Sequence, residues 1–161
     1  MQAESKDNGK PLSLARKVDI PRAVSNFEFF ATSILHFSSE SHDMDGVALN
    51  YTLREPIGLV GCISPWNLPL YLLSWKVAPA IASGNTVVLK PAEFTSLTAL
   101  FFAELCQKAK IPNGVINIIT GDGTTGELIT NHKDIKKIAF TGSTEVGKKI
   151  ISSNNNPDKK L

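Results

Sequence analysis

The chain has 161 residues, 42% of them hydrophobic and 20% charged, which is typical of one globular domain with a sizeable core. Its net charge of +2 argues against a nucleic-acid or membrane-surface partner bound by charge. The sequence shows no signal peptide and no bilayer-spanning apolar run, and it has only two cysteines, so we expect a cytoplasmic protein with reduced thiols.

Residues 1–55 predict a helical segment that leads into a strand. A turn comes first, and one long helix then begins at Asp19 as its N-cap, with Pro21 in its first turn. Residues 48–56 alternate in the manner of a strand. A set of apolar side chains recurs at helical spacing, which predicts that they pack in the core: Phe27, Phe30, Ile34 and Phe37.

Residues 56–153 alternate between strand-like and helix-like units. The strand-like runs are rich in Val and Ile and apolar on both faces, as buried parallel strands are; they cover 57–63, 85–90, 114–120 and 136–140. Amphipathic runs lie between them and after the last one. We therefore predict an α/β fold, a Rossmann-like parallel sheet with helices on both faces, preceded by a long N-terminal helix.

The last 30 residues are rich in lysine. Residues 132–161 carry seven Lys against three acidic residues, which is typical of a solvated face. Residues 154–161 are interpreted as a polar tail, and the Ser-Asn-Asn-Asn tract at 153–156 predicts disorder.

The turn after the first sheet strand carries the first candidate catalytic residue. The apolar run ends in Ser64, Pro65, Trp66 and Asn67, and a helix-like run follows from Pro69. A fixed amide can donate a hydrogen bond to an oxygen that becomes negative during a reaction, an effect worth roughly 2.7–4 kcal/mol. Local spacing is equally compatible with an Asn67 that caps the following helix, but the flanking prolines and Trp66 favour the catalytic interpretation.

Three further turns are candidates for binding a cofactor. Lys90 and Glu93 follow the second strand, where an acid can bind ribose hydroxyls, although a solvated Glu is the alternative. The turn at 121–126 matches G-x-G-x-x-G but lacks the acid expected near Thr141, so a structural role is equally compatible. Ser143 lies near the start of the last helix, where backbone N–H groups can bind phosphate.

These four segments, in this order, resemble the aldehyde dehydrogenase family from about residue 3 to residue 150. The resemblance implies a partial aldehyde dehydrogenase fold with NAD as its cofactor. It implies that Asn67 holds the oxyanion that forms when a Cys thiolate attacks an aldehyde. The residues implied to line the NAD site are Ser64, Pro65, Trp66, Lys90, Glu93, Gly123, Ser143 and Val146. An acid at the position of Glu93 goes with NAD rather than NADP in that family.

Residues 44–76 resemble the 2-aminomuconic or hydroxymuconic semialdehyde dehydrogenase branch of the family most closely. The branch implies that Arg22 binds the carboxylate of an acidic semialdehyde; a surface salt bridge with Asp19 or Glu28 is the alternative. The residues Leu68, Leu72 and Trp75 fall at i, i+4 and i+7, so they are candidates to line a substrate channel or simply to pack in the core. The parent enzyme is expected to be a homo-oligomer.

The resemblance also implies that the nucleophilic Cys and the general-base Glu lie downstream of Leu161. Cys62 falls within a strand and Cys106 within a helix, away from any base, so both are interpreted as structural. No metal site is predicted. We therefore expect the NAD-binding part of an enzyme that converts an aldehyde to an acid through a thioester, inactive by itself. The alternative is a non-catalytic module that binds nucleotides or other subunits.

Overall fold

The computed structural model describes residues 1–154 and 156–161; Asn155, which belongs to the predicted polar tract and tail, lies outside the described residues. The chain begins with helix α1 (Gln2–Asn8) and a short helix α2 (Leu12–Leu14). A π-helical turn (Ala15–Asp19) leads into helix α3 (Ile20–Ser33), and a 3₁₀ turn (Ile34–His36) ends it.

The long N-terminal helix begins earlier than the sequence predicts. Its backbone is helical from Leu12 onward, and Asp19 has helical angles (φ −63°, ψ −50°) instead of those of an N-cap. Pro21 lacks an N–H and crowds the carbonyl four residues before it, and the π-helical turn lies where this conflict arises. Asp19 therefore precedes α3 as predicted, but its side chain makes no cap hydrogen bond and its carboxylate pairs with Lys10 instead.

The aromatic stripe of α3 is only partly in the core. Phe27 packs against the core and stacks on Phe102 with 5.3 Å between ring centroids. Phe37, in contrast, is 64% exposed, so its predicted burial was wrong. The helical stretch from Leu12 to His36 is about 37 Å long at 1.5 Å per residue. Helix α4 (Pro69–Ala82), against which this stretch packs, has 14 residues and is only about 21 Å long, so it cannot cover the whole stretch.

A β-hairpin that the sequence analysis did not predict follows α3. Strands β1 (Ser41–Met44) and β2 (Ala48–Tyr51) pair antiparallel. Asp45 and Gly46 both have positive φ, 51° and 73°, as a type I′ turn requires. The Asp43 carboxylate accepts a hydrogen bond from the Gly46 N–H at 3.2 Å. The Asp-Gly pair was the overlooked signal.

The predicted parallel sheet is confirmed. Strands β3 (Leu59–Ile63), β4 (Thr86–Lys90), β5 (Ile116–Ile118) and β6 (Ile135–Phe140) are parallel in the order β5-β4-β3-β6. Each is followed by a helix: α4, α5 (Leu97–Lys108), α6 (Gly123–Asn131) and α7 (Thr144–Ser153). Within the described residues no helix is long and apolar enough to cross a membrane.

Alternate residues of the strands contribute to two cores, one on each face of the sheet. On one face the strands pack against α4 and α5 through Val60, Cys62, Leu73, Val77, Val87, Leu89 and Ala99. On the other face α6 and α7 pack against the strands around Ile129, Ile135 and Ile138. Helices therefore cover both faces of the sheet.

The end of the chain packs against the sheet instead of projecting into solvent. The Lys160 N–H donates to the Lys136 carbonyl, and its own carbonyl accepts from the Ile138 N–H, both at 2.8 Å. The Lys159 ammonium is buried and donates to the carbonyls of Thr130 (2.6 Å) and His132 (2.9 Å). The interpretation of the C-terminal lysines as a solvated face therefore fails for Lys159.

Candidate functional site

A cavity of about 1020 Å³ lies at the carboxyl ends of β3, β4 and β6. The chain moves from β3 to β4 and β5 on one side of the sheet and places β6 on the other side, so the strand order reverses here. Ligands of open α/β sheets bind at such a point. The cavity is lined by all the residues predicted to bind the cofactor or the oxyanion: Ser64, Pro65, Trp66, Asn67, Lys90, Glu93, Gly123, Ser143 and Val146.

Ser64 begins the turn after β3 and extends the β3–β4 ladder. Its N–H donates to the Lys90 carbonyl at 3.1 Å, which joins the ends of the two strands. The side chain is buried, and its hydroxyl has no hydrogen-bond partner among the described residues. A buried hydroxyl without a partner costs free energy, so this atom is suited to meet a polar group of a ligand.

The backbone of the same turn, at Trp66 and Asn67, is held by hydrogen bonds from the N-terminal segment. The Asn8 amide donates to the Trp66 carbonyl, and the Lys10 ammonium donates to the Asn67 carbonyl at 3.1 Å. Helix α4 has Leu68 as its N-cap, and the first-turn N–H of Leu70 donates to the Glu4 carboxylate and not to the Asn67 side chain. The alternative interpretation, that Asn67 caps this helix, is therefore wrong.

Lys90 and Glu93 form an acid–amine pair beside the cavity. The Lys90 ammonium lies 3.6 Å from the Glu93 carboxylate and donates to the Pro91 carbonyl at 3.1 Å. The Lys90 side chain is 5% exposed and that of Glu93 is 46% exposed, so the carboxylate is the more accessible partner. Such a pair offers an acceptor and a donor to vicinal hydroxyl groups.

The glycine turn before α6 does not provide a standard pyrophosphate site. The Asp122 carboxylate accepts from the N–H groups of Thr124 (2.9 Å) and Thr125 (3.4 Å), so these donors are occupied. Nothing lies within 4 Å of the position that a Cβ would take on Gly123. The packing of the protein therefore does not require glycine there, and the space lies open toward the cavity.

The start of α7 forms the opposite wall. Ser143 is its N-cap, and the Ser143 hydroxyl accepts from the Val146 N–H at 3.2 Å. Val146 is 42% exposed and lines the cavity. Glu145 and Lys149 pair at 2.9 Å on this helix, and the hydrogen bond and charge of the lysine lower the pKa of Glu145.

The residues predicted to contact the substrate do not line this cavity. Leu72 is buried, whereas Trp75 is 52% exposed and its ring centroid lies 5.2 Å from that of Tyr71. The Arg22 guanidinium lies 5.8 Å from the centroid of the same Tyr71 ring. Neither alternative salt bridge of Arg22 forms within the described residues, and Asp19 pairs with Lys10 instead. Arg22 and Trp75 therefore flank one tyrosine on the outer side of α3 and α4.

Neither cysteine has the environment of a nucleophile. Burial raises the pKa of Cys62 to about 12 and also raises the pKa of Cys106. Burial lowers the pKa of Lys76 to about 8, and its ammonium donates to the Leu72 carbonyl at 3.0 Å. No cluster of three or more potential metal-ligating residues occurs within residues 1–154 and 156–161.

Sequence reasoning missed the charged cluster beneath the Asn67 turn. Lys10 lies 2.7 Å from Asp19 and 3.7 Å from Glu4, and all three side chains are buried. The three residues come from α1, the loop after it and the π-helical turn. No local period connects them; the only signal was an unusual density of charge in a segment that has to pack against the sheet domain.

Fold and cavity together define an α/β domain with a ligand site at the switch point of a parallel sheet. All 161 residues match the model of the aldehyde dehydrogenase family. The chain therefore belongs to the aldehyde dehydrogenase family, as the four motifs indicated.

Curated relatives support the branch that was predicted. The 2-aminomuconic semialdehyde dehydrogenase of Bos taurus is 55% identical over 152 residues, which cover 93% of this chain and 31% of that protein. The human protein of the same name is 54% identical over 151 residues, 92% of this chain and 31% of the relative. The chain thus spans about a third of the length of these relatives.

Solved structures show the same fold. An NAD⁺ complex of aldehyde dehydrogenase from Bacillus cereus superimposes with a TM-score of 0.91 at 46% identity, covering 94% of this chain and 31% of that one. An NAD-dependent aldehyde dehydrogenase from Sinorhizobium meliloti gives 0.90 at 40% identity, over 94% of this chain and 30% of that one. The predicted partial aldehyde dehydrogenase fold is confirmed.

Proposed function

We propose that this chain is the cofactor-binding part of an NAD-dependent aldehyde dehydrogenase. The observation that carries the proposal is the switch-point cavity, where turns that lie far apart in the sequence converge with the predicted residues on its wall. The NAD⁺ complex among the similar structures supports the choice of cofactor.

The residues present fit NAD. Glu93 and Lys90 accept from and donate to the hydroxyls of the adenosine ribose, and Ser143 with Val146 forms the wall for the phosphate and adenine groups. The unpartnered Ser64 hydroxyl and the open space at Gly123 leave room for polar and backbone contacts with the ligand. Pro65 and Trp66 complete the edge of the cavity. When bound, NAD supplies the hydride acceptor for the oxidation.

Asn67 is the proposed oxyanion donor. The residue lines the cavity, and its backbone is already held by Lys10. A preorganised amide of this kind contributes roughly 2.7–4 kcal/mol to stabilising the transition state. Because both thiols of the chain are buried, the attacking thiolate has to come from another part of the enzyme, and the chain by itself should not oxidise aldehydes to acids through a thioester.

Calorimetric titration of the chain with NAD and with NADP tests the proposal. NAD should bind weakly and NADP more weakly, because a 2′-phosphate would lie beside the Glu93 carboxylate. Hydrogen bonds to a charged group contribute about 1.5–3 kcal/mol, so Glu93→Gln should weaken NAD binding by roughly 10- to 150-fold. Glu104→Gln, the same change on the exposed face of α5, is the control. Tighter binding of NADP, or no loss with Glu93→Gln, would contradict the assignment.

We propose an acidic semialdehyde as the substrate of the parent enzyme, on the basis of the semialdehyde dehydrogenases among its relatives. Arg22 has the planar fork that pairs with a carboxylate, and it is exposed beside Tyr71. Leu68, Leu72 and Trp75 would form the adjacent channel wall. In a full-length protein that contains this segment, Arg22→Ala should raise KM for a muconic-type semialdehyde and leave KM for a neutral aliphatic aldehyde unchanged. An equal effect on both substrates would leave Arg22 as scaffolding.

A second candidate function is a subunit-interaction module, favoured by the apolar side chains exposed on the hairpin. Val47 is 88% exposed and Leu49 is 66% exposed. The proposed occupant is a second copy of the chain, in keeping with the homo-oligomeric parent that we predict. Sedimentation velocity should show a dimer that Leu49→Lys abolishes and that Leu128→Lys, a change at an exposed leucine of α6, leaves intact. A chain that is monomeric at all concentrations would exclude this function.

The cytoplasmic location of the protein stays a prediction.

A further inference from the structure

The Lys10 ammonium links the N-terminal segment to the turn that presents Asn67. It lies 2.7 Å from the Asp19 carboxylate and 3.7 Å from the Glu4 carboxylate, and it donates to the Asn67 carbonyl at 3.1 Å. The Lys10 side chain is 7% exposed and the two acidic side chains are fully buried. We call Lys10, Glu4 and Asp19 the ammonium clamp.

Neighbouring hydrogen bonds hold the same backbone. The Asn8 amide donates to the Trp66 carbonyl, and the Glu4 carboxylate accepts from the Leu70 N–H in the first turn of α4 at 3.5 Å. The N-terminal segment thus holds the carbonyls of two consecutive residues, Trp66 and Asn67, both of which line the cavity. Since the N-cap residue Leu68 makes no side-chain cap hydrogen bond within the described residues, these contacts from the N-terminal segment fix the turn in its place.

The clamp is costly to fold. Two buried carboxylates share one ammonium, and one oxygen of each carboxylate has no hydrogen-bond partner among the described residues. Removing charges from water is compensated only in part by such a pairing, and apolar residues of similar volume often serve stability equally well. Stability alone therefore does not explain why these charges are buried here. The hydrogen bond from Lys10 to the Asn67 carbonyl, in contrast, fixes the position of one particular turn.

We propose that Lys10 is a positioning residue for Asn67: the clamp holds the Asn67 carbonyl so that the side-chain amide stays fixed toward the cavity. The proposal rests on the proposed function of Asn67 as the oxyanion donor. Lys10 does not touch the reacting atoms. It acts through the backbone of the turn, and its loss should free the Asn67 amide without changing the wall of the cavity formed by α7.

Two variants of Lys10 test the proposal. Lys10→Met removes the donor but leaves two carboxylates without a cation, and this imbalance alone can unfold the chain. The triple variant Lys10→Met, Glu4→Gln, Asp19→Asn keeps the shape and removes every charge of the clamp, so it separates loss of the donor from the burden of unpaired charge. Lys159→Met is the matched control, because Lys159 is also a buried ammonium bound to backbone carbonyls but lies at the far end of the chain.

The measurement is ¹⁵N relaxation of the chain, read at the side-chain amide of Asn67 and at the backbone amides of the turn. With Lys10 present the backbone order parameters of the turn should be those of rigid structure, about 0.85, and in the triple variant they should fall below about 0.6 at Asn67, with a parallel loss at its side-chain amide. The order parameter of the Ser143 backbone amide should not change in the triple variant or in Lys159→Met. An Asn67 amide that is as ordered in the triple variant as in the unchanged chain, or equally loosened by Lys159→Met, would overturn the proposal.

NAD titration of the same samples separates this proposal from the function on which it rests. The triple variant should bind NAD within about twofold of the unchanged chain, because Lys90, Glu93 and Ser143 lie on other turns and Ser64 is held by the β3–β4 ladder. A chain that shows a loosened Asn67 but never binds NAD would refute the proposed function and leave the clamp in place. A chain that binds NAD while Asn67 stays rigid in the triple variant would refute the positioning role of Lys10 and leave the proposed function standing.

Discussion

The contact between α6 and the sheet depends on the absence of a side chain at Gly61. This residue lies in the middle of β3, paired with β4 and β6 on either side. A Cβ at Gly61 would lie 2.6 Å from the Ile129 Cγ2, 2.9 Å from the Ile138 Cδ1 and 3.3 Å from the Ile135 Cγ2. All three isoleucines are buried, so none can move aside into solvent.

We expect Gly61→Ala to lower the free energy of unfolding by about 1 kcal/mol, within a range of about 0 to 2.5 kcal/mol. Overpacking a core costs about 1–3 kcal/mol, and replacing glycine within a strand by alanine returns roughly 0.5–1 kcal/mol of backbone entropy. With the urea dependence typical of small proteins, the unfolding midpoint should fall by about 0.5–1 M. The measurement is urea unfolding followed by circular dichroism.

Gly126→Ala is the matched control for this change. A Cβ there would lie 3.7 Å from the Lys90 Cδ and 3.9 Å from the Ile63 Cδ1, which are ordinary contacts, and the residue lies within α6. Alanine should therefore stabilise the chain by about 0.5–1 kcal/mol.

A double variant tests the cause. Ile129→Ala alone should cost about 2–5 kcal/mol, because it leaves a cavity between α6 and the sheet. Combined with Gly61→Ala the total loss should be smaller than the sum by 0.5 kcal/mol or more, since the new methyl group then occupies part of that space. A Gly61→Ala chain as stable as the unchanged one, or strict additivity with Ile129→Ala, would refute the reasoning from close approach.

Two more predictions concern buried ionisable groups. Burial lowers the pKa of Lys76 from its ordinary value of 10.5 to about 8 and raises the pKa of Cys62 from its ordinary value of 9.0 to about 12. Deprotonation of Lys76 in the folded chain therefore raises the free energy of unfolding as pH increases from about 8 to 10.5, whereas Cys62 lowers it as pH rises above 9.0. Between pH 8 and 9 only the Lys76 effect operates. Urea unfolding should therefore show an increase in stability over this range, and Lys76→Met should abolish it. A gain that persists in Lys76→Met would contradict the assignment. Both thiols, at Cys62 and Cys106, should react with a disulfide reagent only at the rate of unfolding; immediate reaction of the native chain would show that they are accessible.

The sheet and its cavity could be predicted because their signals are local. Each strand is a short run rich in Val and Ile, and each is followed by a helix, so the order of elements implied a parallel sheet. In such a sheet the carboxyl ends of the strands share one edge, so the turns that carry Asn67, Lys90 and Ser143 have to lie near one another. The topology alone gave the convergence of these turns.

The N-terminal part was harder to predict because its structure depends on partners that are distant in sequence. Asp19 precedes Pro21 as an N-cap would, yet its carboxylate is buried against Lys10 and the helix begins before it. The bond from Lys10 to Asn67 spans 57 residues, and no periodic pattern encodes it. The hairpin turn at Asp45 and Gly46 differs from these contacts, since its Asp-Gly sequence is a local signal for a turn with positive φ.

The two sides of the candidate site are therefore held by different forces. The cofactor side rests on the parallel ladder of β3, β4 and β6 and on the apolar cores beneath it. The Asn67 turn rests on buried ions and amides of the first 19 residues, among which burial raises the pKa of Glu4. Because the pKa of Glu4 is raised, acidification protonates it before an ordinary glutamate and removes one of the two carboxylates that hold the Lys10 ammonium, so the geometry at Asn67 should respond to acid before the sheet does. The position of Asn67 and the wall formed by α7 should therefore respond separately to changes in the N-terminal segment and in the sheet.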